Sequence, residues 1–174
     1  MKKYELTTNT KMHLGRKLFQ IKALVSFGDV KKGDLGGYIE KEDNLDHTGD
    51  AWVYGDAMVY GNAWVYGDAR VYGDAWVYGN ARVSGDARVS GDAWVNNTSD
   101  CICFKGFGSC CRTTTMFRIK NGDILVKCGC FEGNLKEFKA KVKETHGSSR
   151  YAKEYLACAE AAKIHFEIGE KDDK

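Results

Sequence analysis

From residue 49 to residue 96, apolar and polar positions recur on a strict six-residue beat. The units read GDAWVY, GDAMVY, GNAWVY, GDARVY, GDAWVY, GNARVS, GDARVS and GDAWVN. Within each unit Ala-x-Val-x alternates a small or apolar residue with a variable one, the period of a short strand. Gly-Asp or Gly-Asn then makes a corner, because Gly enters unusual dihedrals at low cost and Asp or Asn bonds nearby backbone amides. Six residues leave no room for a helix in each repeat. Self-similarity at a fixed period defines a solenoid. Short strand plus tight corner predicts a triangular β-coil of three hexads, 18 residues, per turn.

The flanks break this beat. Lys17 to Val25 is an apolar segment that predicts a strand, placed to cover the open end of the coil and hide its edge. Beyond Asn97, Thr113–Ile119 and Ile124–Cys128 predict two strands joined by a turn containing Asn121-Gly122. Asn134 then precedes Leu135, Phe138 and Val142 at helical spacing, with Glu137 completing a capping box and Gly147 as the stop. Ser148 or Ser149 caps a second helix with Ala152, Tyr155, Leu156, Ala159 and Phe166 on one apolar face, and the tail frays. The chain is therefore expected to divide into an N-terminal β cap (1–36), a repeat region (37–97), a small α+β domain (98–168) and a frayed tail (169–174).

Phased on valine, V-Y-G-D-A-W resembles the hexapeptide repeat of left-handed parallel β-helices. The resemblance implies that Val53 to Val95 and Ala51 to Ala93 point inward, and that the coil is left-handed. Two degenerate units, Gly37–Glu42 and Asp43–Thr48, extend the coil with Ile39 and Leu45 inward, which gives roughly three coils about 4.8 Å apart. A second resemblance rests on Gly108-Ser109, Thr113-Thr114-Thr115, Cys128-Gly129-Cys130-Phe131-Glu132-Gly133, Glu137-Phe138 and Thr145-His146-Gly147. These look like a domain that follows hexapeptide repeats in bacteriophage and prophage proteins. The fold expected is mainly β: a left-handed parallel β-helix with an N-terminal strand cap and a C-terminal α+β domain.

Every third hexad shares a face of the coil, which sorts the outward side chains. The first face carries Trp52, Arg70 and Arg88, and Trp52 over Arg70 is expected to form a cation–π pair. The second carries Met58/Tyr60, Trp76/Tyr78 and Trp94, an apolar ladder expected to be the seam of a homo-oligomer, which the resemblance to hexapeptide-repeat proteins implies is a homotrimer; the alternative is that C-terminal elements fold back over it. The third carries Trp64/Tyr66 and Arg82/Ser84. Stacked Asp and Asn at the corners read as turn caps, since the spacing lacks the nonapeptide signature of calcium-binding β-rolls.

Composition excludes more than it selects. Lys plus Arg is 26 against 24 acids, a net charge of +2, so no global field draws the chain to nucleic acid or membranes. Residues 1–32 are basic, yet no aromatic-interleaved arginine stripe accompanies them, so nucleic acid is not the expected partner. The start lacks an apolar signal and no run reaches a membrane span, which with seven Cys points to a reducing cytoplasm, and the phage resemblance implies that it is the cytoplasm of a bacterial host.

Cys101, Cys103, Cys110, Cys111, Cys128 and Cys130 form a C-x-C, C-C, C-x-C series. Zinc sites favour C-x₂₋₄-C, so Cys101, Cys103, Cys128 and Cys130 are read first as buried thiols and only secondarily as metal ligands. No cofactor is expected. Hexapeptide-repeat acyltransferases use a histidine base, and the eight intact hexads contain none; His47 reads as a cap residue. Gly106-Phe107-Gly108-Ser109 followed by Arg112, Thr113, Thr114, Thr115 and Arg118 is the composition of an anion site. The phage resemblance implies an oligomeric, non-enzymatic anti-defence protein that sequesters a nucleotide-like signal or masks a host protein, through those residues and Trp52, Arg70 and Arg88. The alternatives are an acyltransferase and a purely structural oligomerisation module.

Overall fold

A computed structural model describes residues 1–168; the tail expected to fray lies outside the described residues. The chain forms two compact units, residues 1–98 and the segment from Ser99 onward.

In the first unit the hexads give eight two-residue strands, β4 (Trp52–Val53), β5 (Met58–Val59), β6 (Trp64–Val65), β7 (Arg70–Val71), β8 (Trp76–Val77), β9 (Arg82–Val83), β10 (Arg88–Val89) and β11 (Trp94–Val95). They stack in parallel register 18 residues apart, Trp52 on Arg70 on Arg88 and Met58 on Trp76 on Trp94. Rung-to-rung bonds such as Trp52 N to Ala69 O (3.0 Å) and Tyr54 N to Val71 O (2.8 Å) tie the coil together. Every hexad Ala and Val is buried, so the interior is a column of methyl and isopropyl groups. The corners need glycine twice over. Gly73 has a φ of 71°, and a Cβ there would lie 2.9 Å from Gly91 N on the next rung.

The degenerate units continue the coil: Ile39, at the end of β3 (Leu35–Ile39), pairs with Val59, and Leu45 bridges Val65. Residues before them close the open end. β2 (Arg16–Ala23) runs antiparallel to β3, and β1 (Tyr4–His13) to β2, giving a sheet ordered β1-β2-β3-β5-β8-β11. On the first face no strand precedes β4; the Lys3 ammonium donates to Gly49 O (3.2 Å) and Ala51 O (2.8 Å). At the third, Asn44 Nδ2 donates to Gly61 O (3.2 Å) and Ala63 O (2.8 Å), and this side chain is fully buried. Two side chains thus supply donors that a further rung would have provided, satisfying carbonyls that are costly to bury unpaired.

The covering of the second face corrects the sequence expectation. Met58 and Tyr60 are each 4% exposed, because Leu18 of β2 packs on both and His13 at the hairpin tip meets the rings of Tyr60 (5.3 Å) and Trp76 (4.4 Å). Met58 and Tyr60 are therefore not available as an oligomer seam, and the covering element is the N-terminal hairpin rather than C-terminal elements. Trp76, Tyr78 and Trp94 are half-buried on the same ladder.

The second unit is an antiparallel meander of β12 (Cys101–Phe107), β13 (Arg112–Arg118), β14 (Ile124–Cys128) and β15 (Phe131–Asn134), followed by α1 (Leu135–His146) and α2 (Arg150–His165). Asn134 and Glu137 form the capping box (2.9 and 2.8 Å), Gly147 ends α1, and Ser149 caps α2 through Ala152 N (3.4 Å). Met116, Val126, Leu135, Phe138, Val142, Tyr155, Ala159 and Phe166 make its core. None of the described helices is long and apolar enough to cross a membrane.

Candidate functional site

The residues expected to form one anion site are dispersed by the strand they share. β13 lies between β12 and β14 and is buried from Thr114 through Phe117, so Thr114 and Thr115, on opposite faces of the strand, are 0% and 1% exposed. Thr114 Oγ1 donates to Cys128 Sγ (3.2 Å), and Cys103 Sγ approaches Thr115 Oγ1 at 3.7 Å. Both hydroxyls are buried and bonded within the sheet. Thr113 is half-buried. Arg118 and Arg112 sit at opposite ends of β13 and line different clefts.

Arg118 borders the larger one, a groove of about 720 Å³ between the β13–β14 turn, α1 and the end of α2. Its Nε lies 3.3 Å from Asp100, its Nη2 donates to Phe166 O (2.9 Å), and its guanidinium covers the Phe166 ring at 5.4 Å. These contacts fix it as a rigid wall. Lys136, Lys139 and Lys143 come from one face of α1 and Lys163 from α2, while Ile124, Leu135, Ala140, Phe166 and Ile168 supply apolar lining. Lys139 is paired with Glu160 (2.6 Å), and the carboxylates lining the groove are Asp123 and Glu167. The lysine spacing i, i+3, i+7 places three cations along one helix face. In the sequence the apolar stripe of α1 is the evident signal, and this lysine face, lying opposite a core-forming stripe, reads as ordinary solvated surface.

Ser109 and Arg112 line the smaller cleft, about 310 Å³, with Cys110, Cys128, Cys130 and His146. Its edge is held by Gly108, whose N donates to Glu154 (2.9 Å) and whose φ of 74° leaves no room for a Cβ against the Tyr155 hydroxyl. Burial first, and then the neighbouring Cys128 sulfur, push the Tyr155 phenol up to about 12.

The thiols depart from the buried reading: Cys103, Cys110, Cys111 and Cys130 are exposed, Cys101 and Cys128 half-buried, and only Cys158 lies in the core. Cys101 and Cys103 share β12, separated from Cys128 of β14 by β13. The Cys101 thiol is raised well above its ordinary value, by its hydrogen bond with Cys103 and then by burial. Among the described residues no group of three or more His, Cys, Asp and Glu is arranged to hold a metal ion.

On the coil, Trp52 is 1% exposed beneath the rings of Tyr4 (6.1 Å) and Phe27 (5.4 Å), so it offers no stacking platform. Arg70 turns instead to Asp29 (2.6 Å), and Arg88 is exposed on the same face. Burial raises the Asp29 carboxyl, but the Tyr54 hydroxyl and Arg70 together hold it below the usual carboxylate range. The cation–π contact expected on the first face occurs on the third, Arg82 over Trp64 at 6.0 Å. His47 stacks on Tyr4 (4.3 Å) while its Nδ1 accepts from Lys3 N (3.2 Å).

Residues 51–67, 63–79, 75–91 and 81–97 match the YdcK Beta solenoid repeat family. No curated protein matches the chain. The family match names a repeat and no reaction, and it is confined to the coil. Together with the stacked rungs it shows that the chain carries a β-solenoid repeat similar to that of YdcK.

Proposed function

We propose that the protein is a non-enzymatic binding protein whose C-terminal unit holds a phosphate-bearing, nucleotide-like ligand. The observation that carries this reading is the groove itself. Arg118, Lys136, Lys139, Lys143 and Lys163 surround an apolar lining, with two carboxylates among the lining residues. Cations bind phosphate by charge-assisted hydrogen bonds, and an apolar floor suits a base or another flat apolar group. In this reading the solenoid is the scaffold, the protein acts in a bacterial cytoplasm, and a phage-type role would be to withhold such a ligand from a host defence system. Self-assembly into a trimer belongs to the same proposal.

The acyltransferase alternative gains little support, because His47 is engaged in closing the coil. Masking of a host protein is favoured by one separate feature, Trp64, which is 36% exposed on the third face and stacked on Tyr66 at 4.1 Å. Native mass spectrometry of gently purified protein tests the ligand reading. Extra mass of nucleotide size is expected, and Lys136→Gln with Lys143→Gln should weaken rebinding of the identified compound on the order of tenfold or more. Bare protein that also fails to bind nucleotides by calorimetry would overturn it in favour of masking.

A further inference from the structure

Three cysteines that the sequence scatters over two motifs converge on the smaller cleft. Cys110 follows β12, Cys128 ends β14, and Cys130 lies in the turn before β15. Cys110 and Cys130 are exposed, and the half-buried Cys128 sulfur accepts the Thr114 hydroxyl. The charged residues lining this cleft are Arg112, Lys141 and His146, with no carboxylate among the described lining residues. Lys141 is paired with the exposed Glu144 (3.0 Å). Arg112 forms no ion pair with a described residue, and its guanidinium packs over Gly129, between Cys128 and Cys130, where any Cβ would strike it.

Partly exposed thiols in electropositive surroundings are where cysteine chemistry concentrates. A planar guanidinium without a partner is also a bidentate seat for a carboxylate. The cleft therefore combines an anchor for an anion with an accessible nucleophile beside it. We propose that it is a thiol-exchange site for small, carboxylate-bearing disulfides, with Arg112 holding the carboxylate and Cys130 attacking. Cys130 Sγ, having lost its proton to water, attacks one sulfur of the bound disulfide. The S–S bond breaks, a mixed disulfide with Cys130 forms, and the other half leaves as a thiolate with the bonding electron pair. The incoming disulfide is itself the oxidant, so the step needs no further reactant. This site is independent of the phosphate groove and stands or falls separately.

The test compares two disulfide reagents on the full chain, dianionic Ellman's reagent and neutral dipyridyl disulfide, with the first adduct located by peptide mapping. Cys103 and Cys111, exposed outside the cleft, serve as internal references. Cys130 should be modified first by the anionic reagent. Its anionic-to-neutral rate ratio should exceed that of the references on the order of tenfold and decline with added salt. Arg112→Gln should abolish that advantage and Arg112→Lys restore part of it, with the neutral reagent reporting that the cleft is intact. Equal modification of the exposed cysteines, or a ratio indifferent to both salt and Arg112→Gln, would overturn the proposal.

Discussion

Lys3 places an ammonium where a strand's amides would otherwise be. It is 4% exposed, donates to the carbonyls of Gly49 and Ala51, and lies 4.8 Å from the Phe27 ring centre. Burial pushes it from the ordinary 10.5 down to about 8, with Asp46, Asp50 and Asp68 pulling the other way. Between these two values the unfolded chain holds more of this proton than the folded one, so stability rises with pH across that window. Tyr54 and Tyr60 oppose the trend higher up. Burial raises each from 10.0 to about 12, so the unfolded chain loses those protons first and stability falls as pH climbs above 10. The stability of the first unit, which holds Lys3, Tyr54 and Tyr60 and no cysteine, measured by denaturant titration followed by tryptophan emission, should therefore climb from about pH 8 to a maximum near 10, at no more than about 1.4 kcal/mol per pH unit. Lys3→Met should flatten the climb and leave the alkaline fall intact. An unchanged climb in Lys3→Met would mean that Lys3 is not its source.

At the scale of elements, the coil depends on how closely β3 can approach its first rung. A Cβ on Gly36 would lie 2.6 Å from Val53 O, 2.6 Å from Ile21 Cγ1 and 2.8 Å from Trp52 Cζ2. One of these is backbone and two belong to fully buried side chains, so none can yield cheaply. Gly36→Ala is expected to cost about 1–3 kcal/mol, the usual penalty for overpacking, seen as a lower midpoint in thermal melts followed by tryptophan emission. Gly33→Ala, which meets nothing within 4 Å but has a φ of 96°, separates backbone strain from collision. How legible these elements were followed from how local their causes are. The hexads, the Asn134–Glu137 box and the apolar stripes of both helices are patterns within a few residues, and the structure contains them. β1 is not legible in the sequence because its turn is Leu14-Gly15, with φ of 48° and 77°, where Asn-Gly is the usual signal. Its polar run, Glu5-Leu6-Thr7-Thr8-Asn9, has little apolar alternation to read. The site is illegible for a different reason: Arg112 to Arg118 are one cluster in sequence, but a seven-residue strand sends its ends to separate clefts.

For the whole molecule, the two units carry separate cores of different kinds. One is a column of Ala and Val side chains closed by an N-terminal hairpin; the other is a meander covered by two helices around Phe138, Tyr155 and Phe166. A solenoid's stability is close to a sum over neighbouring rungs, whereas a small α+β core is lost in one step. All four tryptophans, Trp52, Trp64, Trp76 and Trp94, lie in the first unit, and both helices, α1 and α2, lie in the second. Emission and helical circular dichroism are thus separate reporters of the two units in one unmodified chain. Urea titration is expected to give two transitions that do not coincide, and Gly36→Ala should move the fluorescence midpoint while leaving the helical one in place. Leu135→Ala, a truncation in the second core, should do the reverse and cost about 2–5 kcal/mol. If the two probes instead trace a single curve, and each substitution shifts both midpoints together, the units unfold as one cooperative body. A ligand bound in the basic groove would then stabilise the solenoid as well, whereas separate transitions confine its effect to the helical signal.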